Sequence, residues 1–159
     1  MVRSLSAFAG GALALVAACA PQAVSHGGPV RDHVSLVDNL RARGLQVDPA
    51  SSSKFDLVRV AGTVLKLSGD SLQQEAEVIS FNYDDKDLGT DGVRAAQEDA
   101  SRISADGTSA MGLQGAVRVY YAGTPHLFRR ERVIVLYVGD DQALLRMLTE
   151  LLGPQFAGR

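Results

Sequence analysis

The 159-residue chain carries 18 acidic and 16 basic side chains and a formal net charge of −2. This near-neutral balance gives no broad positive field, so it argues against a protein that binds nucleic acid through its overall charge. Hydrophobic residues make up 46% of the chain and charged residues 21%, a composition that is typical of a folded domain and excludes a wholly disordered chain. The length suits one hydrophobic core, and a single domain is expected.

The N-terminus has the three parts of a secretory signal. Arg3 supplies a positive charge, residues 5–18 form an uncharged and mostly apolar run, and small residues close that run before Cys19. The run is shorter than the ~20 residues that a helix needs to cross a bilayer. Residues 1–18 are therefore predicted to be an export signal that is removed.

Residues 15–19 read Leu-Val-Ala-Ala-Cys, which resembles the lipobox of bacterial lipoproteins. The resemblance implies that the Cys19 thiol takes a diacylglycerol, that cleavage occurs before Cys19, and that acyl chains then anchor the protein in a membrane. Cys19 is the only cysteine in the chain, so no internal disulfide accounts for it. The alternative is an ordinary signal peptide, or an N-terminal anchor, with a chance cysteine.

The expected location is the cell envelope. Ala20 follows Cys19, and the absence of Asp at that position resembles the pattern that sorts lipoproteins to the outer membrane. The predicted protein is exported and membrane-anchored, at the outer membrane or on the periplasmic face where the host has two membranes. Residues 19–31 contain two prolines and a Gly27-Gly28 pair, and they are predicted to be a flexible tether. Residues 32–159 are predicted to form the single globular domain.

The domain begins with a predicted helix. Asp32 or Ser35 is a candidate N-cap, Leu36 and Leu40 follow at helical spacing, and Gly44 is a stop signal. Residues 45–47 alternate as a strand does, and the Pro- and Ser-containing segment after them predicts a loop. Residues 55–60 and 63–67 are rich in β-formers and predict a bent strand or a tight strand pair.

The central part of the chain predicts a strand, a helix and a second strand. Residues 77–83 alternate with a period of two, which indicates a strand with one face in the core. Residues 90–104 predict a helix with an alanine-rich apolar stripe, and such a helix packs closely on a sheet. A Gly- and Ser-containing loop runs from Asp106 to about Gly115, and residues 117–121 alternate as the next strand.

The C-terminal part carries the strongest patterns. Residues 127 and 128 finish a hairpin, and the apolar run over residues 132–138 predicts a central strand that is buried on both faces. Asp140 or Asp141 then caps a leucine-rich helix that ends at Gly153. Taken together, these elements predict an α+β fold with a mainly antiparallel sheet of about four to five strands and two to three helices packed on one face.

The mature domain resembles a group of small, uncharacterised, exported bacterial α+β domains that are often lipoproteins. The resemblance is loose over residues 32–158 and closer over the last third, and it brings no activity with it. The doubled Arg129-Arg130 departs from the single arginine of that group. The segments that carry the resemblance are residues 105–107, Pro125-His126, and residues 129–132, 134–141 and 153–158.

One cluster of residues predicts a binding site. His126 lies close in sequence to Arg129, Arg130 and Arg132, and arginine donors at a corner of this kind bind a carboxylate or a phosphate. The alternative is a turn histidine beside an exposed, charged strand end. Tyr120-Tyr121 and Tyr137 are predicted to lie in the core and on the sheet surface, and a sugar-binding platform that uses these three tyrosines is a further alternative.

Other site chemistries have weaker signals. Asp84, Asp85 and Asp87 lack the spacing of a calcium-binding EF-hand loop, and no metal or cofactor is predicted. The motifs of serine hydrolases, zinc proteases and nucleotide-binding loops are absent from the sequence.

The sequence therefore predicts a membrane-anchored lipoprotein with a small non-catalytic binding or interaction domain. Its expected partners are the membrane, through the acyl chains on Cys19, and an envelope protein or a small anionic ligand, with no role for nucleic acid. The alternative is a small exported hydrolase that uses His126 with a nearby serine or carboxylate.

Overall fold

The computed structural model describes residues 27–112 and 115–159. Helices in this part are α1 (His33–Ala42), α2 (Asp85–Leu88), α3 (Gly92–Arg102) and α4 (Gln142–Leu152). Strands are β1 (Gln46–Ser53), β2 (Gly62–Ser68), β3 (Ala76–Asn82), β4 (Ser109–Gly112), β5 (Gly115–Arg118), β6 (Pro125–Arg130), β7 (Val133–Val138) and β8 (Ala157–Gly158). None of the helices in these ranges is long and apolar enough to cross a membrane.

Six strands form the main sheet, in the order β1-β2-β3-β7-β6-β8, and every neighbouring pair is antiparallel. Strands β4 and β5 pair with each other in a separate hairpin. The predicted α+β class and the mainly antiparallel sheet are confirmed. The predicted counts were too low, because short elements such as α2 and β8 are too brief to leave a periodic signal in the sequence.

Helices cover both faces of the sheet, whereas the sequence predicted helices on one face. Along β7, Val133, Val135 and Tyr137 belong to a core closed by α1 and α4. Ile134 and Leu136 point the other way, into a second core closed by α3. The prediction that this strand is central and buried on both faces is confirmed, and the prediction that helices pack on one face is wrong.

The helix that packs on the second face of the sheet, α3, was difficult to predict from the sequence. Its buried side chains are mainly the alanines Ala95, Ala96 and Ala100, which add little apolar volume to the sequence pattern. Small side chains let the helix backbone approach the sheet closely. The helix also starts against β3, since a Cβ on Gly92 would collide with the carbonyl oxygen of Tyr83.

An aspartate caps the N-terminus of each helix in the described ranges. The Asp32 carboxylate accepts a hydrogen bond from the backbone N–H of Ser35, and the Ser35 side chain completes a capping box. Asp84 caps α2 and Asp91 caps α3. Asp141, one of the two predicted caps of the leucine-rich helix, accepts hydrogen bonds from the first turn of α4. The predicted start of this helix is confirmed, and so is its end at Gly153.

Two predicted strands differ from those in the structure. Residues 55–60 form turns instead of a strand, because the backbone N–H of Arg59 donates to the carboxylate of Asp99 and not to a neighbouring strand. Strand β1 continues through Pro49 into the serines that predicted a loop, with an irregular register beside Pro49. Proline is tolerated there because β1 lies at the edge of the sheet.

The chain before α1 packs against the domain. Val30 is buried in the core beneath α1 and α4, and the carbonyl oxygen of Gly28 accepts a hydrogen bond of 2.8 Å from the Asn39 side chain. The last residues of the predicted tether are thus part of the packed structure. The predicted signal peptide and Cys19 lie outside the described residues.

Candidate functional site

The structure does not bring His126 together with the three arginines of the predicted anion-binding corner. His126 is the second residue of β6, Arg129 and Arg130 end the same strand, and Arg132 follows in the turn before β7. At a rise of about 3.3 Å per residue, His126 and Arg130 lie roughly 13 Å apart along the strand. The corner is therefore divided between the two ends of β6.

His126 is buried, and its ring stacks on Tyr137 with 6.0 Å between the ring centroids. Its Nδ1 atom lies 2.8 Å from Oε1 of Gln155, and its Nε2 atom has no hydrogen-bond partner within residues 27–112 and 115–159. No serine hydroxyl or carboxylate in those ranges is bonded to the ring. The described part of the chain therefore holds no nucleophile-and-base pair at His126 of the kind that a hydrolase requires.

The three arginines each have a different environment. Arg132 lies 3.4 Å from the carboxylate of Asp85, which is an ion pair at the surface. Arg129 has only a long contact of 3.5 Å to the carbonyl oxygen of Glu131. Arg130 is exposed. These side chains form a charged turn and not a closed anion pocket.

A histidine and a serine that the sequence did not single out are in contact. Nδ1 of His33 lies 3.0 Å from the Ser80 hydroxyl oxygen. Burial lowers the pKa of His33, partly opposed by Asp32, so the ring is neutral at physiological pH. Ser80 is only 1% exposed in the middle of β3, which leaves its hydroxyl no access to a substrate. The pair joins α1 to the sheet.

A buried carboxylate, Asp99, is the centre of the largest polar cluster. The Tyr83 hydroxyl donates to it at 2.7 Å, the Arg59 backbone N–H at 2.9 Å, and the Arg59 side chain at 2.9 Å. Arg102 forms a further ion pair with the same carboxylate, and Glu98 pairs with Arg59 at 3.2 Å. Each oxygen of the buried charge is thus hydrogen-bonded.

The electrostatics of the cluster are those of a structural tie. Burial acts to raise the pKa of Asp99, but the hydrogen bonds from Tyr83 and Arg59 act more strongly in the opposite direction. The pKa of Asp99 is therefore below its ordinary value, and the carboxylate is ionised. Burial also raises the pKa of Tyr83, and the phenol remains protonated and donates. Because both oxygens of Asp99 accept hydrogen bonds from other parts of the protein, the cluster joins the 55–60 segment to α3.

The most promising cavity is a cleft of about 380 Å³ between the β4–β5 hairpin and the start of β6. We call it the hairpin cleft. Two arginines, two tyrosines and one aspartate give it both charge and aromatic surface. Its lining residues are Asp106, Thr108, Arg118, Val119, Tyr120, Tyr121, Gly123, Thr124, Pro125 and Arg159.

A short turn fixes the acidic wall of the hairpin cleft. The Asp106 carboxylate accepts hydrogen bonds from the Ser104 hydroxyl at 2.6 Å, and from the backbone N–H and hydroxyl of Thr108 at 3.1 and 2.9 Å. These bonds, the one from Ser104 first, lower the pKa of Asp106 to about 2. The carboxylate is therefore ionised at physiological pH and already accepts hydrogen bonds from donors of its own turn.

The tyrosines form the aromatic wall of the hairpin cleft. The Tyr121 hydroxyl donates to the carbonyl oxygen of Gly107 at 2.6 Å, and its ring lies 6.2 Å from that of Phe55. Burial, together with the charge of Asp106, raises the pKa of Tyr121 to about 12. Tyr120 next to it is 92% exposed. One ring is held in place and the other offers its surface to solvent.

Strand β8 and Arg159 close the hairpin cleft. Strand β8 pairs with β6 through Gly158 and His126, and the Arg159 backbone N–H donates to the carbonyl oxygen of Pro125 at 3.1 Å. Gly158 has a φ of 108°, and a Cβ there would collide with the carbonyl oxygen of Pro125. Glycine is therefore required at this position for Arg159 to reach the cleft.

The hairpin cleft has an unused positive charge. Neither Arg118 nor Arg159 forms an ion pair with any residue that the structure describes. A guanidinium group offers donors in a planar arrangement that matches a carboxylate or a phosphate. The cleft can therefore bind an anionic group through the arginines while a ring or an aliphatic group packs on Tyr120 and Tyr121.

Sequence reasoning identified the tyrosines of the cleft only as a weak alternative and did not identify its arginines. Three of the four large hydrophobic side chains that are exposed in the described ranges, Met111, Val117 and Tyr120, come from the same ten residues. That concentration is visible only in the structure, because the exposure of a side chain cannot be taken from the sequence. No group of three or more His, Cys, Asp or Glu side chains in the described ranges is placed to hold a metal ion.

Comparison with known proteins adds no identity. No protein-family model matches the chain, and neither curated proteins nor solved structures include a match.

Proposed function

We propose that this chain is a cell-envelope lipoprotein, anchored through acyl chains on Cys19, whose domain is a non-catalytic binding module. The hairpin cleft is its ligand site. The ligand is a small anion that bears a carboxylate or a phosphate next to a ring or an aliphatic group.

The hairpin cleft is the single observation that carries the binding part of this proposal. Its volume of about 380 Å³ lies within the ~300–1,000 Å³ that is usual for small-molecule sites. Arg118 and Arg159 supply charge without an ion-pair partner in the described ranges, and Tyr120 supplies exposed aromatic surface. A binding module needs such a surface and no catalytic group.

The anchor rests on the residues that resemble a lipobox. A small aliphatic segment precedes Cys19, which is the only cysteine in the chain. A lone thiol in an exported protein is otherwise exposed to oxidation. Each methylene of an acyl chain contributes about 0.8 kcal/mol when it is buried, so two or three chains hold a protein stably at a membrane.

Binding at the hairpin cleft can be tested with benzoate, which joins a carboxylate to a ring. We expect benzoate to shift the backbone amide NMR signals of Tyr120, Tyr121 and Arg159 in the isotope-labelled mature chain. Benzyl alcohol, which has the ring without the charge, is the matched probe and should cause much smaller shifts. In an Arg118→Gln/Arg159→Gln variant the two probes should become equivalent.

Two results would contradict the cleft as an anion site. One is an equal response of the wild-type protein to benzoate and benzyl alcohol. The other is a benzoate response that persists in the double variant, because groups other than Arg118 and Arg159 would then bind the carboxylate.

The anchor can be tested by the mass of the mature protein. After expression in a bacterium, the intact mass of the membrane-fraction protein should equal the chain from Cys19 onwards plus acyl chains. We expect Cys19→Ser to remove the acyl mass and the membrane retention. A cleaved chain without acyl chains in the soluble fraction would overturn the anchor and leave the cleft proposal standing.

A further inference from the structure

The place where the N-terminal segment joins the domain is fixed. Gly27 and Gly28 lie in a groove that is also lined by Asn39, Arg43 and Arg130. Asn39 is 2% exposed, and its side-chain amide donates to the carbonyl oxygen of Gly28 at 2.8 Å. The chain therefore leaves the domain from this groove and not from an arbitrary point on its surface.

The length of the chain between the anchor and the groove limits how the domain sits. Eight peptide units join Cys19 to Gly27, and fully extended they span at most roughly 28 Å. A domain of this size has a radius of gyration of roughly 14 Å, which corresponds to a diameter of roughly 36 Å and exceeds the reach of that tether. The groove therefore stays within roughly 28 Å of the bilayer to which Cys19 is attached and cannot point directly away from it.

Four arginines surround this groove. Arg43 and Arg130 line the groove itself, Arg146 lines the adjacent groove with Arg43, and Arg129 lies beside Arg130. We call Arg43, Arg129, Arg130 and Arg146 the tether-end patch. None of the four forms an ion pair within the described ranges, although arginines elsewhere in the molecule do.

Acidic residues do not neutralise the patch. Glu150 lines two of the grooves, and Glu131 and Asp91 line the third groove. Arg94 also lines the third groove, but its side chain pairs with Glu98. Four arginines without an ion pair in the described ranges thus face three carboxylates, in a chain whose formal net charge is −2. The small positive excess lies around the groove where the tether begins.

We propose that the tether-end patch rests on anionic phospholipid headgroups when the protein is anchored, and so sets the orientation of the domain. This inference rests on the proposed lipid anchor, which holds the patch within reach of the membrane. Arg43 caps the C-terminus of α1 and Arg146 lies on α4, and these two helices cover the first face of the sheet. Val119 and Tyr121 of the hairpin cleft pack against the core beneath α3, on the second face. The docked domain therefore turns the hairpin cleft away from the bilayer.

The patch can be tested without the acyl chains. The probe is the mature chain from residue 19 with Cys19→Ser, which contains every helix and strand that the structure describes. It is sedimented with vesicles of phosphatidylcholine alone and with vesicles of equal parts phosphatidylcholine and phosphatidylglycerol. We expect binding only to the anionic vesicles, and we expect that binding to fall as salt is raised.

Charge removal within the patch should weaken this binding strongly. A basic side chain near an anionic surface contributes about fivefold in partitioning, which is about 1 kcal/mol. Arg43→Gln/Arg130→Gln should therefore lower the partition coefficient roughly 25-fold. Arg129→Gln/Arg146→Gln is a second pair that leaves the Asn39 contact of Arg43 intact and should act in the same direction. Unchanged thermal unfolding shows that each variant is folded.

The matched control removes the same charge outside both the patch and the hairpin cleft. Lys54 and Lys66 are exposed and line none of these grooves. Lys54→Gln/Lys66→Gln should therefore keep vesicle binding within a factor of two or so. Absence of binding to anionic vesicles would overturn the proposal, and so would equal losses in the patch and control variants. Because this chain carries no acyl chains, the vesicle experiment tests the patch alone. The lipid anchor is tested separately, by the intact mass of the mature protein.

Discussion

The two faces of the main sheet are covered by different chemistry. On the first face, α1 and α4 pack large aliphatic side chains such as Leu36, Leu40, Leu144 and Leu148 onto the strands. On the second face, α3 contributes alanines, and the buried carboxylate of Asp99 lies among them. One core is closed by apolar volume and the other by close backbone approach and a polar tie.

This difference teaches where the fold depends on charge. An aliphatic core loses stability in proportion to the volume that is removed from it. The core beneath α3 depends in addition on the hydrogen bonds that Asp99 accepts from Tyr83 and Arg59. We therefore expect a charged residue in place of a buried apolar one to lower the free energy of unfolding by a similar amount on either face. The loss of a polar contact, or exposure to acid, should affect the face beneath α3 more.

The largest effects should come from placing a charge in either core. Ile134 and Val135 are neighbours on β7, both fully buried, and they point to opposite faces. Ile134→Asp and Val135→Asp each bury a carboxylate without a partner, at a cost of at least about 4 kcal/mol. We expect both variants to unfold at far lower denaturant concentration than wild type. Near-wild-type unfolding of Ile134→Asp alone would show that the core beneath α3 is open to solvent.

The second largest effect should be specific to the face beneath α3. Asp99→Asn keeps the shape of the side chain but removes the charge that Arg59 and Arg102 pair with. Both arginines are about a third exposed, so the expected loss of about 2–3 kcal/mol lies below that of a wholly buried pair. Equilibrium denaturation measures it. Glu98→Gln is the control, since its side chain is 47% exposed and the expected loss is below about 1 kcal/mol.

Acid should weaken the same tie. The pKa of Asp99 is lowered in the folded protein because the bonds from Tyr83 and Arg59 outweigh burial, which acts in the opposite direction. A folded pKa below the unfolded value of about 3.9 gives stability that is present above about pH 4 and is lost as pH falls through the folded pKa. The stability difference between wild type and Asp99→Asn should thus be constant from about pH 5 to 8 and shrink in stronger acid. A difference that is independent of pH down to acid unfolding would contradict this.

The sequence predicted best the elements whose own residues determine them. Strand β7 is six apolar residues in succession, and α4 has Asp141 at its start and Gly153 at its end. Residues 55–60 were predicted wrongly as a strand, because Leu57 and Val58 suit a strand by composition. Their turn conformation depends on the bond from Arg59 to Asp99, 40 residues along the chain. Local propensity contains no information about such a contact.

The hairpin cleft shows the same limit for a site. Arg159 joins Asp106 and Arg118 there only because residues 157 and 158 pair with the start of β6 as β8. Strand β8 is two residues long, too short for any periodic signal. The predicted anion-binding corner at His126 does not form, because its residues are close in sequence but not in space. Residues four apart on a strand share a face but lie roughly 13 Å from each other.

The smallest effects should come from the helix caps, and they compare the two faces once more. Asp141 caps α4, is 8% exposed, and accepts a further bond of 3.0 Å from the backbone N–H of Gln73. Asp91 caps α3 from an exposed position and, within the described ranges, accepts only from the backbone N–H groups of Val93 and Arg94. Asp141→Ala should therefore cost about 2 kcal/mol and Asp91→Ala about 1 kcal/mol, as measured by denaturation. The extra cost at Asp141 arises because the Gln73 N–H loses its acceptor as well, so Asp141→Asn, which keeps an acceptor oxygen, should recover part of the loss. Equal costs for the two alanine variants would mean that the Gln73 bond contributes nothing, and that α4 is held to its face by apolar packing alone.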